Sequence, residues 1–254
     1  MVFKKAIVRK PCKNLVNGLT RANLGKPDYP LALLQHQNYV EALTECGLVV
    51  TVLEADENYP DSTFVEDTAV LTPRCAVITN PGAPSRKGEI IEMSRVLKNY
   101  FSNIEHIKAP GTLEAGDVMK VASHFYIGLS ERTNEDGANQ LISILNRYGF
   151  TGSTVNVGDA LHLKSGISYL ENNNLLSVSG FLNKEEFQKL NLIPVDSNES
   201  YAANSLWING KVLVPCGFPK IKDKIKKSGY IIMEVDVSEF RKLDGGLSCL
   251  SLRF

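Results

Sequence analysis

The sequence predicts an α/β fold in which five repeated ββαβ units close into a ring. The chain of 254 residues repeats one pattern, two short strands joined by a turn, then a glycine or proline, a helix and a further strand. A repeat of roughly 40–55 residues is typical of propellers, solenoids and rings, and a helix in each unit argues against an all-β propeller. No linker interrupts the pattern, so residues 1–254 are predicted to form one domain.

The N-terminal segments follow from apolar spacing and turn residues. A strand is predicted over residues 4–9 and a helix over 29–46, with Gly47 placed where helices commonly end. A strand is predicted over 49–53. With a strand near the C-terminus, these segments count as one unit.

Four further units repeat the hairpin and the helix. The predicted hairpins pair residues 64–71 with 75–79, 117–121 with 124–128, 168–170 with 175–180, and 205–208 with 211–215. The predicted helices cover 87–100, 138–147, 184–190 and 219–229. The turn Asn209-Gly210 between apolar strands is a strong hairpin signal.

The C-terminal segment is predicted to be a glycine turn that leads into a short strand. Gly245-Gly246 gives backbone freedom, and alternation then puts Leu250 and Leu252 on a core face and Cys249 on the other. A thiol at such a strand end can face a cavity. The alternative is that Cys249 is a small buried apolar residue, as most free cysteines are.

Composition excludes several classes of protein. Lysine plus arginine number 28 and aspartate plus glutamate also 28, which argues against a nucleic-acid or anionic-membrane partner. No signal sequence and no apolar run long enough to span a membrane is present. The five cysteines are scattered without a CxxC pair, so neither a disulfide framework nor a structural zinc site is indicated. We therefore expect a cytoplasmic protein.

Two acidic residues are candidates for holding a cationic ligand, and a third acid has room beside its carboxylate. Glu66 and Asp67 lie inside an apolar, strand-like segment, where an unpaired carboxylate would be costly if buried. Glu114 lies just before the next hairpin, beside the small residues Ala115 and Gly116. The alternative for each is an ordinary solvated carboxylate.

His162 is the candidate acid–base histidine, because apolar residues flank it and a glycine turn follows. A core histidine that only packs is the alternative. Arg86 and Arg132 both follow the second strand of a unit and could bind a carboxylate with two hydrogen bonds each. Their alternative is the ordinary surface arginine.

Together these segments resemble the dimethylarginine dimethylaminohydrolases of the guanidino-group-modifying superfamily. The matching runs span nearly the whole chain in order: 19–20, 24–28, 60–67, 80–86, 109–117, 124–128, 161–164, 199–204 and 244–249. The resemblance implies a five-bladed α/β propeller around a pseudo-fivefold axis. It also implies hydrolysis of N-ω-methylated arginines to citrulline and methylamine or dimethylamine, without a metal or a redox cofactor.

The resemblance also implies a role for each candidate residue. It makes Cys249 the nucleophile, His162 the general acid–base and Glu114 the partner acid. It makes Arg86 and Arg132 the residues that bind the α-carboxylate. The guanidinium side of the substrate would be met by Asp67, Asp61, Glu66 and the backbone near Leu19 and Leu243.

The chemistry calls for these residue types. A guanidinium stays protonated at neutral pH, so carboxylates must hold it, and a thiol with a pKa of about 8.5 needs help to ionise. Arginine deiminases resemble this chain but carry a second aspartate two residues after the histidine. Here that residue is Lys164, which favours a methylated substrate over free arginine.

Several alternatives stay open at this stage. An arginine deiminase or an amidinotransferase would use similar residues, and a non-catalytic five-bladed ribosome-binding factor would use the same ring without them. The oligomeric state is open, with a homodimer as the commonest oligomer. The loop 15–26 is a candidate lid, because of its glycine and asparagine content.

Overall fold

Helices and short strands alternate along the chain. The structure is a computed structural model that describes residues 2–254. Its strands are Lys5–Arg9 (β1), Val49–Leu53 (β2), Ala69–Leu71 (β3), Ala76–Ile78 (β4), Ile104–His106 (β5), Val118–Val121 (β6), His124–Leu129 (β7), Thr151–Asn156 (β8), Ile167–Tyr169 (β9), Asn174–Ser177 (β10), Asn191–Pro194 (β11), Leu206–Ile208 (β12), Lys211–Pro215 (β13), Ile231–Val235 (β14) and Leu252–Arg253 (β15). Its helices are Tyr29–Glu45 (α1), Glu89–Leu97 (α2), Glu135–Arg147 (α3), Ser179–Leu182 (α4), Pro219–Lys227 (α5) and Ser238–Arg241 (α6).

Within residues 2–254 the strands form five three-stranded sheets. Four sheets use consecutive strands, β3-β4-β5, β6-β7-β8, β9-β10-β11 and β12-β13-β14, and the fifth has the order β15-β1-β2. In every sheet the first pair is antiparallel and the second pair is parallel. A helix joins the two parallel strands, as a crossover connection requires. The predicted α/β class with five ββαβ units is confirmed.

The chain divides into two compact units, one made of residues 66–165 and the other of the segments on either side of them. In the first, Phe125 and Ile127 of β7 pack with Leu141 and Leu145 of α3. The second has two apolar clusters, one around Tyr39 of α1. The single domain over residues 1–254 stays a prediction.

Two segments expected to be strands are short 3-10 turns, and a third such turn follows His162. Glu66 and Asp67 lie in the turn Val65–Thr68. The hydroxyl of Thr79 donates a hydrogen bond to the carbonyl of Asp67, so this carbonyl does not pair with a neighbouring strand. His162 directly precedes the turn Leu163–Ser165. Cys249 lies in the turn Ser248–Leu250, before a strand of only two residues.

The helix expected over 184–190 is also shorter than predicted. The structure has α4 and then a 3-10 turn at Glu185–Phe187. The side-chain amide of Gln188 donates to the carbonyls of Leu182 and Lys184, so these carbonyls are satisfied without a longer helix. In the described part of the chain, every helix is too short or too polar to cross a bilayer.

Candidate active site

The candidate residues lie at equivalent places in the repeat. Within residues 2–254, a 3-10 turn precedes the first strand of each sheet. Glu66, Asp67 and Cys249 are inside such turns, and Glu114 and His162 directly precede them. Each unit thus has one short segment outside the sheets, and the side chains of this segment are available for a functional site.

Asp67, Glu114 and His162 form a buried group, here called the acid–histidine cluster. Nε2 of His162 lies 2.9 Å from Oε2 of Glu114. Oε1 of Glu114 accepts from the backbone N–H of Ala83 at 3.0 Å, and Oδ1 of Asp67 accepts from that of Gly116 at 2.8 Å. These bonds satisfy the carboxylates, which could not stay buried without partners.

Charges in the acid–histidine cluster shift the pKa values of two of its members in opposite directions. Burial alone would lower the pKa of His162, but the charges of Asp67 and Asp117 and the bond to Glu114 raise it. Burial would raise the pKa of Glu114, but the bond from His162 and the charge of Arg86 lower it. The resting cluster therefore holds an imidazolium against a carboxylate at neutral pH.

Gly116 makes room for this arrangement. A Cβ at this position would lie 2.7 Å from Nδ1 of His162 and 2.8 Å from Oδ1 of Asp67. Any side chain here would push the imidazole and the carboxylate apart. Gly116, one of the small residues noted beside Glu114 in the sequence, thus leaves room for the ring of His162 and the carboxylate of Asp67.

Arg86 is a buried part of the network around Asp67. Its Nη1 lies 2.6 Å from Oδ2 of Asp67, and its Nη2 lies 2.8 Å from Oε2 of Glu89. Arg86 is only 5% exposed. It holds Asp67 in place, and its predicted contact with a substrate carboxylate stays a prediction.

Two other cations face acidic residues in the same segment of the chain. Nη1 of Arg132 lies 3.6 Å from Oε1 of Glu114, with the arginine side chain partly exposed. Nζ of Lys164 lies 2.6 Å from Oε1 of Glu66. Lys164, two residues after His162, therefore neutralises Glu66.

Cys249 lies in a turn with a well-defined backbone, here called the cysteine turn (residues 245–249). The thiol is half-buried, whereas Cys12, Cys46 and Cys75 are buried. The N–H of Gly246 points at its Sγ from 3.4 Å, a contact that favours the thiolate. The side chain also packs against the apolar cluster around Tyr39, so the role of Cys249 as nucleophile stays a prediction.

Polar side chains from distant parts of the sequence hold the cysteine turn. Oδ1 of Asn204 accepts from the N–H of Ser248, and its Nδ2 donates to the hydroxyl of Ser248. The hydroxyl of Tyr201 donates to the carbonyl of Gly245 at 2.8 Å. A Cβ at Gly245 would lie 2.2 Å from the ring of Phe64, so the double glycine is required by close packing.

The loop predicted to be a lid makes contacts with two acids. The N–H of Leu19 donates to Asp61 at 3.0 Å, and the N–H of Arg21 donates to Asp244 at 2.6 Å. Thr20 donates to the carbonyl of Lys242. Asp61 and Leu243 are buried, while Leu19 is 40 % exposed. Closure of this loop stays a prediction.

The acid–histidine cluster has the spacing of a three-ligand metal site. One donor atom from each of Asp67, Glu114 and His162 lies within 4.8 Å of the others. Hydrogen bonds with one another, with Gly116 and with Ala83 account for this spacing. The prediction that the reaction uses no metal and no cofactor stays a prediction.

The chain is similar to known proteins over its whole length. The family model described as N,N dimethylarginine dimethylhydrolase, eukaryotic, matches residues 27–180. An N(G),N(G)-dimethylarginine dimethylaminohydrolase of Pseudomonas aeruginosa is 53% identical, over 100% of each chain. The chain belongs to the dimethylarginine dimethylaminohydrolase family. A member of the same name from Streptomyces coelicolor is 35% identical, over 100% of this chain and 98% of its own.

Solved structures extend the comparison to the fold. A dimethylarginine dimethylaminohydrolase from Pseudomonas aeruginosa, a C249S mutant complexed with citrulline, matches with a TM-score of 0.99 at 50% identity, over 100% of each chain. The N-terminal domain of ArgZ, an arginine dihydrolase from cyanobacteria, matches with a TM-score of 0.89 at 18% identity, over 98% of this chain and 96% of its own, which bears on the fold alone. The predicted five-bladed α/β propeller is confirmed.

The sequence did not reveal every residue of these networks. Glu89 pairs with Arg86 one helical turn later, and Asn204 and Tyr201 fix the cysteine turn. Asp117 is fully buried beside the acid–histidine cluster. Asp117 and Asn204 lie inside the runs shared with the family, so the runs contained the signal, but nothing in the residues alone assigned them partners.

Proposed function

We propose that this protein hydrolyses N-ω-methylated arginines, asymmetric dimethylarginine and monomethylarginine, to citrulline and dimethylamine or methylamine. The observation that carries the proposal is the buried acid–histidine cluster in a member of the dimethylarginine dimethylaminohydrolase family. One relative was captured with citrulline as a C249S mutant. Another, with an H162G substitution, forms an adduct with S-methyl-L-thiocitrulline. Cysteine and histidine stand at these numbers here.

The charges of the candidate residues suit a substrate with a cationic and an anionic end. Asp67 binds the guanidinium, whose planar N–H groups match a carboxylate. Arg86 and Arg132 bind the α-carboxylate, and Arg86 also holds Asp67. The remaining contacts of the substrate are assigned to Asp61, Glu66 and the backbone near Leu19 and Leu243.

The first half of the reaction forms a covalent adduct. The thiolate of Cys249 attacks the central guanidinium carbon, and His162 gives its proton to the departing methylamine or dimethylamine. The carbon–nitrogen bond breaks, and an S-alkylthiouronium remains on Cys249. The raised pKa of His162 suits this step, because the imidazole starts protonated and its ion pair with Glu114 orients it.

The second half releases citrulline. His162 is now neutral and takes a proton from water, which attacks the thiouronium carbon. The carbon–sulfur bond breaks, a second proton leaves to solvent, and Cys249 returns as the thiolate. Glu114 stabilises the imidazolium at the end of each turnover, as a carboxylate partner does in other acid–base pairs.

Lys164 distinguishes methylated from unmethylated substrates in this proposal. A second aspartate would hold both terminal guanidinium nitrogens and leave no room for N-methyl groups. Lys164 instead pairs with Glu66 at 2.6 Å, so one terminal nitrogen meets no second acid clamp. The methylated nitrogen occupies that side.

Citrulline release tests the proposal. Asymmetric dimethylarginine and arginine are supplied separately to the wild type and to Cys249→Ser. We expect citrulline from the methylated substrate alone and at least roughly a thousandfold loss in the mutant. Citrulline from arginine would contradict the substrate, and full turnover by Cys249→Ser would contradict the nucleophile.

The setting of the enzyme follows from the same proposal. We propose that its partner is the small methylarginine and that it acts in the cytoplasm without nucleic acid or membrane. A homodimer, the commonest oligomer, is the oligomeric state to test. Analytical ultracentrifugation of the purified chain tests the dimer. A single monomeric species at micromolar concentration would contradict it.

A further inference from the structure

Asp117 is the most deeply buried carboxylate beside the acid–histidine cluster, and the reaction above does not use it. It ends the turn Ala115–Asp117 directly before β6 and has 0% of its surface exposed. A buried carboxylate costs several kcal/mol unless hydrogen bonds compensate for it. Its partners therefore indicate what it does.

Three donors converge on this carboxylate. Its Oδ1 accepts from the N–H of Leu163 at 2.9 Å. Its Oδ2 accepts from the hydroxyls of Ser130 and Thr133, each at 2.7 Å. All three atoms donate, as an ionised carboxylate requires. Leu163 is the neighbour of His162 in the chain, and Thr133 is the neighbour of Arg132.

The hydroxyls of Ser130 and Thr133 also accept hydrogen bonds from backbone N–H groups and so link Asp117 to further residues. Oγ1 of Thr133 accepts from the N–H of Glu114 at 3.2 Å. Oγ of Ser130 accepts from the N–H of Arg132 at 3.0 Å. The backbones of His162, Glu114 and Arg132 are therefore each tied to Asp117 through one hydrogen bond or one intervening hydroxyl.

We infer that Asp117 is the positioning residue that holds His162, Glu114 and Arg132 as one rigid group. This inference rests on the proposed function for the roles of those three residues. Asp117 acts through backbone N–H groups and hydroxyls and does not touch the substrate. A carboxylate suits this position because it alone accepts from three converging donors and carries a charge.

Electrostatics point the same way. The charge of Asp117 helps to raise the pKa of His162, together with Asp67 and Glu114, while the cations Arg86 and Arg132 face the acids. Burial raises the pKa of Asp117 itself, and the charge of His162 opposes that rise. Removing the charge of Asp117 should thus lower the pKa of His162 and also loosen the position of its ring.

Asp117→Asn is the direct test, because it keeps the shape and removes the charge. We expect kcat for citrulline release to fall about 10- to 100-fold, with KM changed much less, since a small misplacement of reacting groups is costly. The pKa of His162, followed by NMR of the histidine ring, should fall. Wild-type kcat with an unchanged His162 titration would overturn the inference.

A matched pair at Thr133 decides the matter if Asp117→Asn does not fold. Thr133→Val keeps the volume and loses the hydroxyl between Asp117 and Glu114, whereas Thr133→Ser keeps the hydroxyl. We expect Thr133→Val to lose about tenfold in kcat and Thr133→Ser to retain most of it. Equal kcat in the two variants would overturn the inference.

The two proposals fail separately. If the wild type released no citrulline, the proposed function would fail, and the histidine titration in Asp117→Asn would still test the coupling. If Asp117→Asn lowered only the melting temperature and left kcat and the His162 titration unchanged, Asp117 would be merely structural and the inference would be wrong.

Discussion

Two histidines are buried to a similar extent in this molecule but have opposite acid–base properties. His162 is 8% exposed, and His36, in α1, is 4% exposed. Asp67, Glu114 and Asp117 surround the first and raise its pKa. Within residues 2–254, Nε2 of His36 is a buried side-chain nitrogen without a hydrogen-bond partner, and burial lowers the pKa of His36 to about 4.

The difference shows that neighbours, more than burial, decide the charge of an interior imidazole. Desolvation acts against the charged form at both positions. At His162 nearby carboxylates outweigh it, whereas at His36 the charge of Lys10 adds to it and a bond to the backbone of Arg9 only partly opposes it. One histidine is thus suited to acid–base work and the other to packing.

Removing the charge of Glu114 should have the largest effect on this comparison. In Glu114→Gln the imidazolium of His162 loses its hydrogen-bonded counterion, so we expect kcat to fall roughly a hundredfold or more. The pKa of His162 should fall toward that of His36. NMR titration checks this, with His36 as an internal control that should not move; an unchanged His162 pKa would contradict the account.

Crowding the acid–histidine cluster should have the next largest effect. Gly116→Ala places a Cβ 2.7 Å from Nδ1 of His162, and we expect kcat to fall about tenfold or more through misplacement of the ring. Gly180→Ala is the matched control, because its Cβ would meet nothing within 4 Å. Equal kcat in the two variants would contradict a packing role for Gly116.

His36 should make the fold sensitive to acid. Its pKa is about 4 in the folded state and about 6.5 in the unfolded state, so the unfolded chain binds the proton first as the pH falls. The contribution of His36 to the unfolding free energy therefore decreases as the pH falls from 6.5 to 4. Between pH 7 and pH 5.5 the decrease is about 1 kcal/mol. Urea unfolding of the wild type and of His36→Gln at both pH values checks this; equal pH slopes would contradict it.

His162 should contribute with the opposite sign and in another pH window. Its folded pKa is raised, so its stabilisation is complete below the unfolded value of about 6.5 and is lost as the pH rises through the folded value. The loss of stability in acid expected from His36 is therefore opposite in sign to the contribution of His162.

The smallest effect is expected at a third histidine with neutral partners. The ring of His124, at the start of β7, contacts the hydroxyls of Thr151 and Ser153 at 2.8 and 2.9 Å. We expect His124→Asn to change the unfolding free energy by no more than about 1 kcal/mol and to leave citrulline release unchanged. Thermal melts and an activity assay check this, and a tenfold loss of kcat would contradict the distinction drawn among the three histidines.

The sequence predicted the repeat well, because hairpin turns and helix ends are local signals. The predicted turn Asn209-Gly210 does join two antiparallel strands. The helix α1 ends two residues before Gly47, close to its predicted end. The strand assigned around Asp67 was wrong, because the hydroxyl of Thr79, twelve residues later, donates to the carbonyl of Asp67. Apolar periodicity carries no information about this bond.

The site was predictable in its residue types and less so in its partners. Motifs singled out His162 and Glu114, which do form a pair, but the burial of Arg86 against Glu89 could not be predicted. An arginine in a polar turn gives no sign of which acid will meet it. The contrast between His162 and His36 was equally hidden, since His36 stands between Gln35 and Gln37 and nothing there predicts a buried ring nitrogen without a hydrogen bond.

The sheet β15-β1-β2 is completed late in synthesis, together with the segment that carries Cys249. One edge of β1 pairs in parallel with β2, and the other pairs with Leu252 and Arg253 of β15. During translation β1 can join β2 early, whereas its other edge waits until the ribosome has passed residue 253. The segment that covers this edge also follows Cys249 directly, so a chain stopped before Ser248 would lack the thiol and display an open strand edge.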